Sequence, residues 1–327
     1  MTRELKDQVF AQRDTGPLLM DLVLPDRPTG NDPAIIWLHG GGWWAGDRTL
    51  TSGLHRWFAA HGYVMASIEY RLSGQAIFPA QLIDVRSAVR HLRMHSREYG
   101  INPSAMGLWG SSAGGHLAAL AGVTGTVDTV AGEPDGLGSC AVQAVADAYG
   151  PVDILAAADG AGFGSGPSPE ARLLGGAPAE CRELAEMANP VTWVAAGAPP
   201  FLIAHGDADV LVPPSHSILL HKALSVQQVE STLYLLDGYR HGFLNRAGVG
   251  DVSTHPLFDA GRLAAEGEAP SRVLSSGTRS PADAVPGIYS FDVIREFFDR
   301  HLKGPARSQE KDNNPAIGRI PATQRDK

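Results

Sequence analysis

The stretch Ala105-Met106-Gly107-Leu108-Trp109-Gly110-Ser111-Ser112-Ala113-Gly114 runs from apolar, strand-favouring residues through a tight cluster of small ones, and a small-residue helical pattern continues to about position 122. A serine flanked by glycines two positions away on either side, after a strand and before a helix, is the pattern of a nucleophile elbow. There a sharp turn lifts the hydroxyl above the end of a sheet. The Gly-x-Ser-x-Gly register selects Ser112 over its neighbour Ser111. The flanking positions must be small because a strained bend leaves no room for a Cβ. Taken alone the five-residue pattern is only moderately specific, so the rest of the chain has to supply its context.

Working outward, short apolar runs alternate with helical patterns, which is the signature of a mostly parallel sheet covered by helices on both faces. Strands are expected over 18–24, 34–38, 63–70, 105–109, 142–148, 201–205 and 232–236. A helix is expected over 80–97, with Leu82, Val85, Val89 and Leu92 on one face, Arg86, Arg90 and Arg93 flanking it, and Gly100 and Pro103 closing it. A final helix over 290–302 should bury Val293, Ile294, Phe297 and Phe298. Three stretches break the alternation. Residues 157–169 are glycine-rich and read as a loop, 247–286 form a long polar segment, and 305–327 read as a disordered tail. The expected organisation is one α/β domain over 1–304, with 157–190 and 247–286 as possible cap or lid insertions.

Three further segments fit the chemistry of the elbow. His39-Gly40-Gly41-Gly42-Trp43-Trp44 follows the strand at 34–38. Acyl transfer builds negative charge on a carbonyl oxygen, and consecutive glycines expose backbone N–H groups to receive it. Gly41, Gly42 and Ala113 are the candidate donors; a plain tight turn is the blander role for the same glycines. After the strand at 201–205 comes Gly206-Asp207-Ala208-Asp209, where Asp209 is the candidate acid and Asp207 its rival, the alternative role being a turn-capping carboxylate. After the strand at 232–236, His241 is the candidate general base. With 12 histidines in the chain, position is what singles it out. The order Ser112, Asp209, His241 differs from the chymotrypsin and subtilisin orders. Trp43 and Trp44 are candidate substrate-binding residues, with core packing open for one of them. His39, His116, Asp84 and Asp147 read as bracing or structural groups.

Composition narrows the class. The net charge of -8 offers no footprint for nucleic acid or an anionic membrane. No window approaches the roughly 18 apolar residues of a membrane span. Cys140 and Cys181 lie in no metal-ligand or Cys-x-x-Cys spacing, and no signal-like apolar region opens the chain, so a reducing, cytoplasmic setting is expected. No metal-ligand cluster and no phosphate-cradling loop is visible.

From about residue 9 to 304 the chain resembles the α/β-hydrolase superfamily, and within it bacterial esterases with His-Gly-Gly-Gly-Trp loops, the feruloyl-esterase-like group. The resemblance rests on 18–25, on HGGGWWAGDR at 39–48, EYRL at 69–72, FPAQLIDVRSAVRHLR at 78–93 and WGSSAGGHL at 109–117. Hormone-sensitive-lipase-like esterases share the glycine loop, but they usually carry Asp before the serine and a D-P-L-x-D acid motif. Here Ser111 and Asp-Val-Leu-Val-Pro stand instead. The resemblance also favours Asp209 over Asp207. It implies a carboxylesterase acting on small or medium esters through an acyl-enzyme, with no cofactor. Relatives of this shape act on aryl esters, acetylated sugars, hydroxycinnamoyl esters and aryl formamides. Amidase or aryl formamidase activity is therefore the alternative within the class. A non-catalytic binding protein on this fold is the alternative outside it, and such proteins typically lose a triad member. A homo-oligomer is left open.

Overall fold

The computed structural model describes residues 3–134, 136–157, 166–249, 256–278 and 280–304. In chain order its strands are β1 (Arg3–Arg13), β2 (Gly16–Leu24), β3 (Asp32–Leu38), β4 (Val64–Ile68), β5 (Ile101–Ser111), β6 (Ala144–Ala148), β7 (Phe201–Gly206), β8 (Ser231–Leu236), β9 (Glu268–Ser275) and β10 (Val285–Ser290). They form one sheet in the order β1-β2-β4-β3-β5-β6-β7-β8-β9-β10. From β4 to β8 every neighbouring pair is parallel, and antiparallel strands extend the sheet at both edges.

Every residue of β3, β4, β6 and β7 is buried, as a parallel sheet with both faces covered requires. Alternate residues along each strand serve opposite faces. Ile36, Leu38 and Leu108 pack with the helices Ala80–Met94, Ala113–Val123 and Ser215–Val226. Ile35, Trp37 and Trp109 pack with His55–Ala60 and Phe291–Phe298. The seven expected strands are all present.

The differences lie mostly at the margins. β1, β9 and β10 are absent from the sequence reading because these outer antiparallel strands are half exposed, and polar residues interrupt their apolar runs. The expected helix over 80–97 ends at Met94; a separate turn, Ser96–Tyr99, follows, and Gly100 closes it in the left-handed region at φ 70°. Arg86 is not a flanking residue but fully buried, paired with Glu133 and donating to the Thr124 carbonyl at 2.6 Å. The described part of 247–286 contains the helix Arg262–Glu266, β9 and the start of β10, and so it lengthens the sheet. Within 157–190 stand the helices Pro169–Leu174 and Arg182–Ala188. Most of the glycine-rich loop, residues 158–165, and the 305–327 tail lie outside the described residues.

Candidate active site

The sheet delivers the candidate residues at the carboxyl ends of its central parallel strands, where ligands bind in open α/β sheets. Ser112 stands between β5 and the helix Ala113–Val123 with φ 54° and ψ −122°, a conformation that costs a non-glycine residue free energy. Close packing holds it there. Its N–H donates to the Ala148 carbonyl of β6 at 2.9 Å. A Cβ on Gly110 would overlap the Gly114 carbonyl oxygen, and one on Gly114 would overlap the carbonyls of Leu38 and His39. Both glycines of the motif are therefore required by close backbone approach.

His241 follows β8 in a loop. Its Nε2 lies 2.8 Å from Ser112 Oγ, and its Nδ1 lies 2.6 Å from Asp209 Oδ2. The three candidates thus form one continuous hydrogen-bonded chain. Asp209 Oδ1 accepts from the N–H groups of Leu211 at 2.9 Å and Val212 at 3.0 Å. Burial pushes the Asp209 carboxyl up, but the charge on His241 and hydrogen bonds from His205 and His241 outweigh it and hold the group well below the usual carboxylate range. Asp207, the rival, instead accepts from the Gly238 N–H at 2.7 Å and pairs with Arg272. It is a loop-bracing carboxylate.

The glycine loop lies against the serine, since a Cβ on Gly40 would come within 3.4 Å of Ser112 Cβ. Gly41, at φ 112°, turns its carbonyl toward the N–H groups of Trp44 and Ala45. Among the described residues no hydrogen bond takes the N–H of Gly41, Gly42 or Ala113. His39 braces the loop as expected: Nδ1–H donates to the Gly40 carbonyl at 2.7 Å, and the Tyr70 ring stacks on it at 4.3 Å. Burial pulls this imidazole down to about 4, so it stays neutral.

The two tryptophans part company. Trp43 is 1% exposed, and its indole N–H donates to His116 Nδ1 at 3.1 Å, while His116 Nε2–H donates to the Ala188 carbonyl at 2.7 Å. Trp43 thus stands in the core, the role left open for one of the two tryptophans, with its one polar side-chain atom already satisfied inside the fold. Trp44 is 48% exposed, lies against Gly42, and carries the Arg172 guanidinium over its ring at 5.2 Å. Asp84 is structural, pairing with Arg13 and Arg71.

Sequence reasoning missed the groups that hold His241. Asp259 accepts from the Arg240 backbone N–H at 2.7 Å, pairs with the side chains of Arg240 and Arg262, and donates its own N–H to the His241 carbonyl at 2.8 Å. The rings of Tyr149 and Phe258 meet the imidazole edge-on at 4.8 and 5.4 Å. Asp259 and Phe258 belong to the stretch read as a polar excursion, and no spacing marks them. Tyr149 directly follows a recognised strand, so its place at a strand's carboxyl end was a usable signal.

Comparison with known proteins fits this geometry. The BD-FAE family model matches residues 20–224, well over half of the chain. The chain belongs to the BD-FAE family. Its fold is the α/β-hydrolase fold. It is similar to the esterase LipC of Mycobacterium tuberculosis, with 31% identity over 67% of this chain and 55% of that protein. The chain spans about half the length of the curated mycobacterial relatives it matches. Among solved structures, a truncated carbohydrate esterase from gut microbiota superposes with a TM-score of 0.63 at 30% identity, covering 72% of this chain and 88% of that one. A propionate-bound esterase from Thermogutta terrifontis superposes at 0.62 with 25% identity, covering 80% and 92%. No helix among the described residues is long and apolar enough to cross a membrane.

Proposed function

We propose that this BD-FAE protein is a carboxylesterase that cleaves esters of small or medium size through an acyl-enzyme. The observation that carries the reading is the unbroken chain from Ser112 Oγ through both nitrogens of His241 to Asp209 Oδ2, at 2.8 and 2.6 Å. Ser112 Oγ attacks the ester carbonyl as His241 Nε2 takes its proton. The carbonyl π electrons move onto the oxygen, and the N–H groups of Gly41, Gly42 and Ala113 receive that charge. The tetrahedral species collapses, the bond to the alcohol oxygen breaks, and His241 returns the proton to the leaving alkoxide. Water then repeats the sequence on the acyl-enzyme and releases the acid. Asp209 stays ionised throughout, orients the imidazole and stabilises its protonated form. Its low proton affinity supports that role.

Trp44 is the aromatic at the rim of the site, presenting half of its surface beside the oxyanion loop. The substrate is a small-molecule ester, and the reaction as written needs no cofactor. Both cysteines are free, in keeping with a reducing compartment such as the cytoplasm.

A panel of esters varied separately in acyl and alcohol size, with matched amides and aryl formamides, tests this reading. Ester turnover should dominate, and Ser112→Ala should lose it by about a million-fold while abolishing labelling by a fluorophosphonate. Preferred turnover of the amides, or labelling that persists in Ser112→Ala, overturns it. Asp209→Asn should cost about ten-thousand-fold in kcat; a larger loss from Asp207→Asn would reassign the acid.

A further inference from the structure

Behind the proposed triad stands a second buried histidine that the reaction as written does not use. His205, on β7, is fully buried. Its Nε2 lies 2.8 Å from the Val212 carbonyl oxygen and 3.4 Å from Asp209 Oδ2, the same oxygen that faces His241. Its Nδ1 lies 2.7 Å from Ser217 Oγ, on the helix Ser215–Val226. A carbonyl oxygen only accepts, so Nε2 must carry the proton. In the neutral ring Nδ1 is then a lone pair, and the Ser217 hydroxyl donates to it. Of the two neutral tautomers the neighbours select the one protonated at Nε2, whose N–H donates to the Val212 carbonyl and lies beside Asp209 Oδ2. Val212 completes the clamp, since its own N–H donates to Asp209 Oδ1 at 3.0 Å.

We propose that His205 is a positioning residue for Asp209: a neutral N–H donor, held by Ser217, that braces the 209–212 turn and keeps the carboxylate ionised and aimed at His241. This rests on the triad proposed above. A neutral donor suits the task because it stabilises the anion without cancelling the charge that the protonated His241 needs. An imidazolium at the same place would compete with His241 for Asp209.

The other titratable groups facing this cluster are Asp147 on β6, His216 on the helix behind the ring, and Tyr149, which meets His241 edge-on. Burial pulls His216 down to about 4 and pushes the Tyr149 phenol out of the physiological range, so neither changes charge near neutrality. Burial raises Asp147 to about 6, so the acid limbs are compared in proteins that all carry Asp147→Asn.

His205→Leu removes the donor and keeps much of the bulk. Asp209 then presents a less-stabilised charge to His241, which holds its proton more tightly. The acid limb of kcat/KM should move to higher pH by about half to one unit, and kcat should fall by about ten- to a hundred-fold with KM nearly unchanged. His205→Gln, whose amide nitrogen reaches the position of Nε2, should restore most of the rate and the wild-type limb. His205→Asn, whose amide falls near Nδ1, should not. If His205→Leu fails to fold, the Gln and Asn variants carry the comparison. A merely structural His205 would lower thermal stability while leaving the pH profile of the active fraction unmoved, and that result overturns the proposal. So does equal activity of the Gln and Asn variants. Nitrogen NMR of 15N-histidine-labelled wild-type protein tests the tautomer without turnover. A protonated Nε2 and bare Nδ1 on His205 are expected; a cationic ring or the opposite tautomer rejects the proposal even if the natural reaction proves not to be ester hydrolysis.

Discussion

The serine and the histidine of this site are held by different means. Around Ser112 the backbone holds itself: Gly110 and Gly114 fit because there is no room for a Cβ, and the Ser112 N–H is tied to β6. Around His241 the loop is held by side chains, through the Asp259 carboxylate, two arginines and two aromatic edges. The first arrangement is packed into the centre of the parallel sheet. The second depends on a segment next to the antiparallel edge, beyond the residues matched by the family model. Steric packing tolerates no substitution, whereas an ion-paired loop yields gradually. The two halves should therefore fail differently.

The sharpest break is Gly114→Ala. Its Cβ would collide with the Leu38 and His39 carbonyls, where the glycine loop begins, so elbow and oxyanion loop are disturbed together. We expect a loss of roughly 3–5 kcal/mol in urea unfolding, or failure to fold, with activity gone. Near-normal stability and turnover would show that the elbow has slack, and the contrast with the histidine loop would disappear.

Asp259→Ala should act on the other half alone. It removes the carboxylate shared by Arg240 and Arg262 and loosens the turn after β8, while Ser112 keeps its strained backbone. Misplacing the imidazole by about 1 Å should cost about ten- to a hundred-fold in kcat. The thermal melt should change much less than for Gly114→Ala. Unaltered kcat would mean that Tyr149 and Phe258 suffice to place His241.

A third substitution probes the ground between the two halves. Asp147 pairs with Gly110 across the sheet and lies beside Gly115, with Oδ1 accepting from the Gly150 N–H at 3.1 Å. Its Oδ2 is buried with no hydrogen-bond partner among the described residues. Burial pushes this carboxyl up to about 6, against 3.8 for the exposed group. The folded value is the raised one, so the neutral acid is favoured by folding. The destabilisation is absent below about pH 4, grows as pH rises, and is complete above about pH 6. Asp147→Asn should therefore raise stability at pH 8 by about 2–3 kcal/mol and give little at pH 4. Parallel denaturation curves at the two pH values check this; a gain that does not depend on pH would contradict it.

The parallel core was legible in sequence because buried strands are uninterrupted apolar runs, and β3, β4, β6 and β7 are buried throughout. The elbow and glycine loop were legible because close backbone approach demands glycine at fixed spacings. Asp209 and His241 were read from their places after strands, and the structure brings both to Ser112. The outer antiparallel strands were not legible, since alternating exposure in β1 and β9 resembles a polar loop. Trp43 and Trp44, adjacent in sequence, fall on opposite sides of the boundary between core and solvent, and nothing in the residue type distinguishes them.

By itself, then, the sequence determined the parts whose cause is local: strand, turn and helix around Ser112, and the order in which the acid and the base follow. Short-range sterics and apolar periodicity act between near neighbours, so they leave their mark in adjacent letters. Only the tertiary structure decided that Asp209 rather than Asp207 meets His241, which tryptophan is buried, and that Asp259 holds the His241 loop while His205 lies against Asp209. Those outcomes depend on distances between residues far apart in the chain, and a buried ion pair or a fixed tautomer exists only once the sheet has brought its members together.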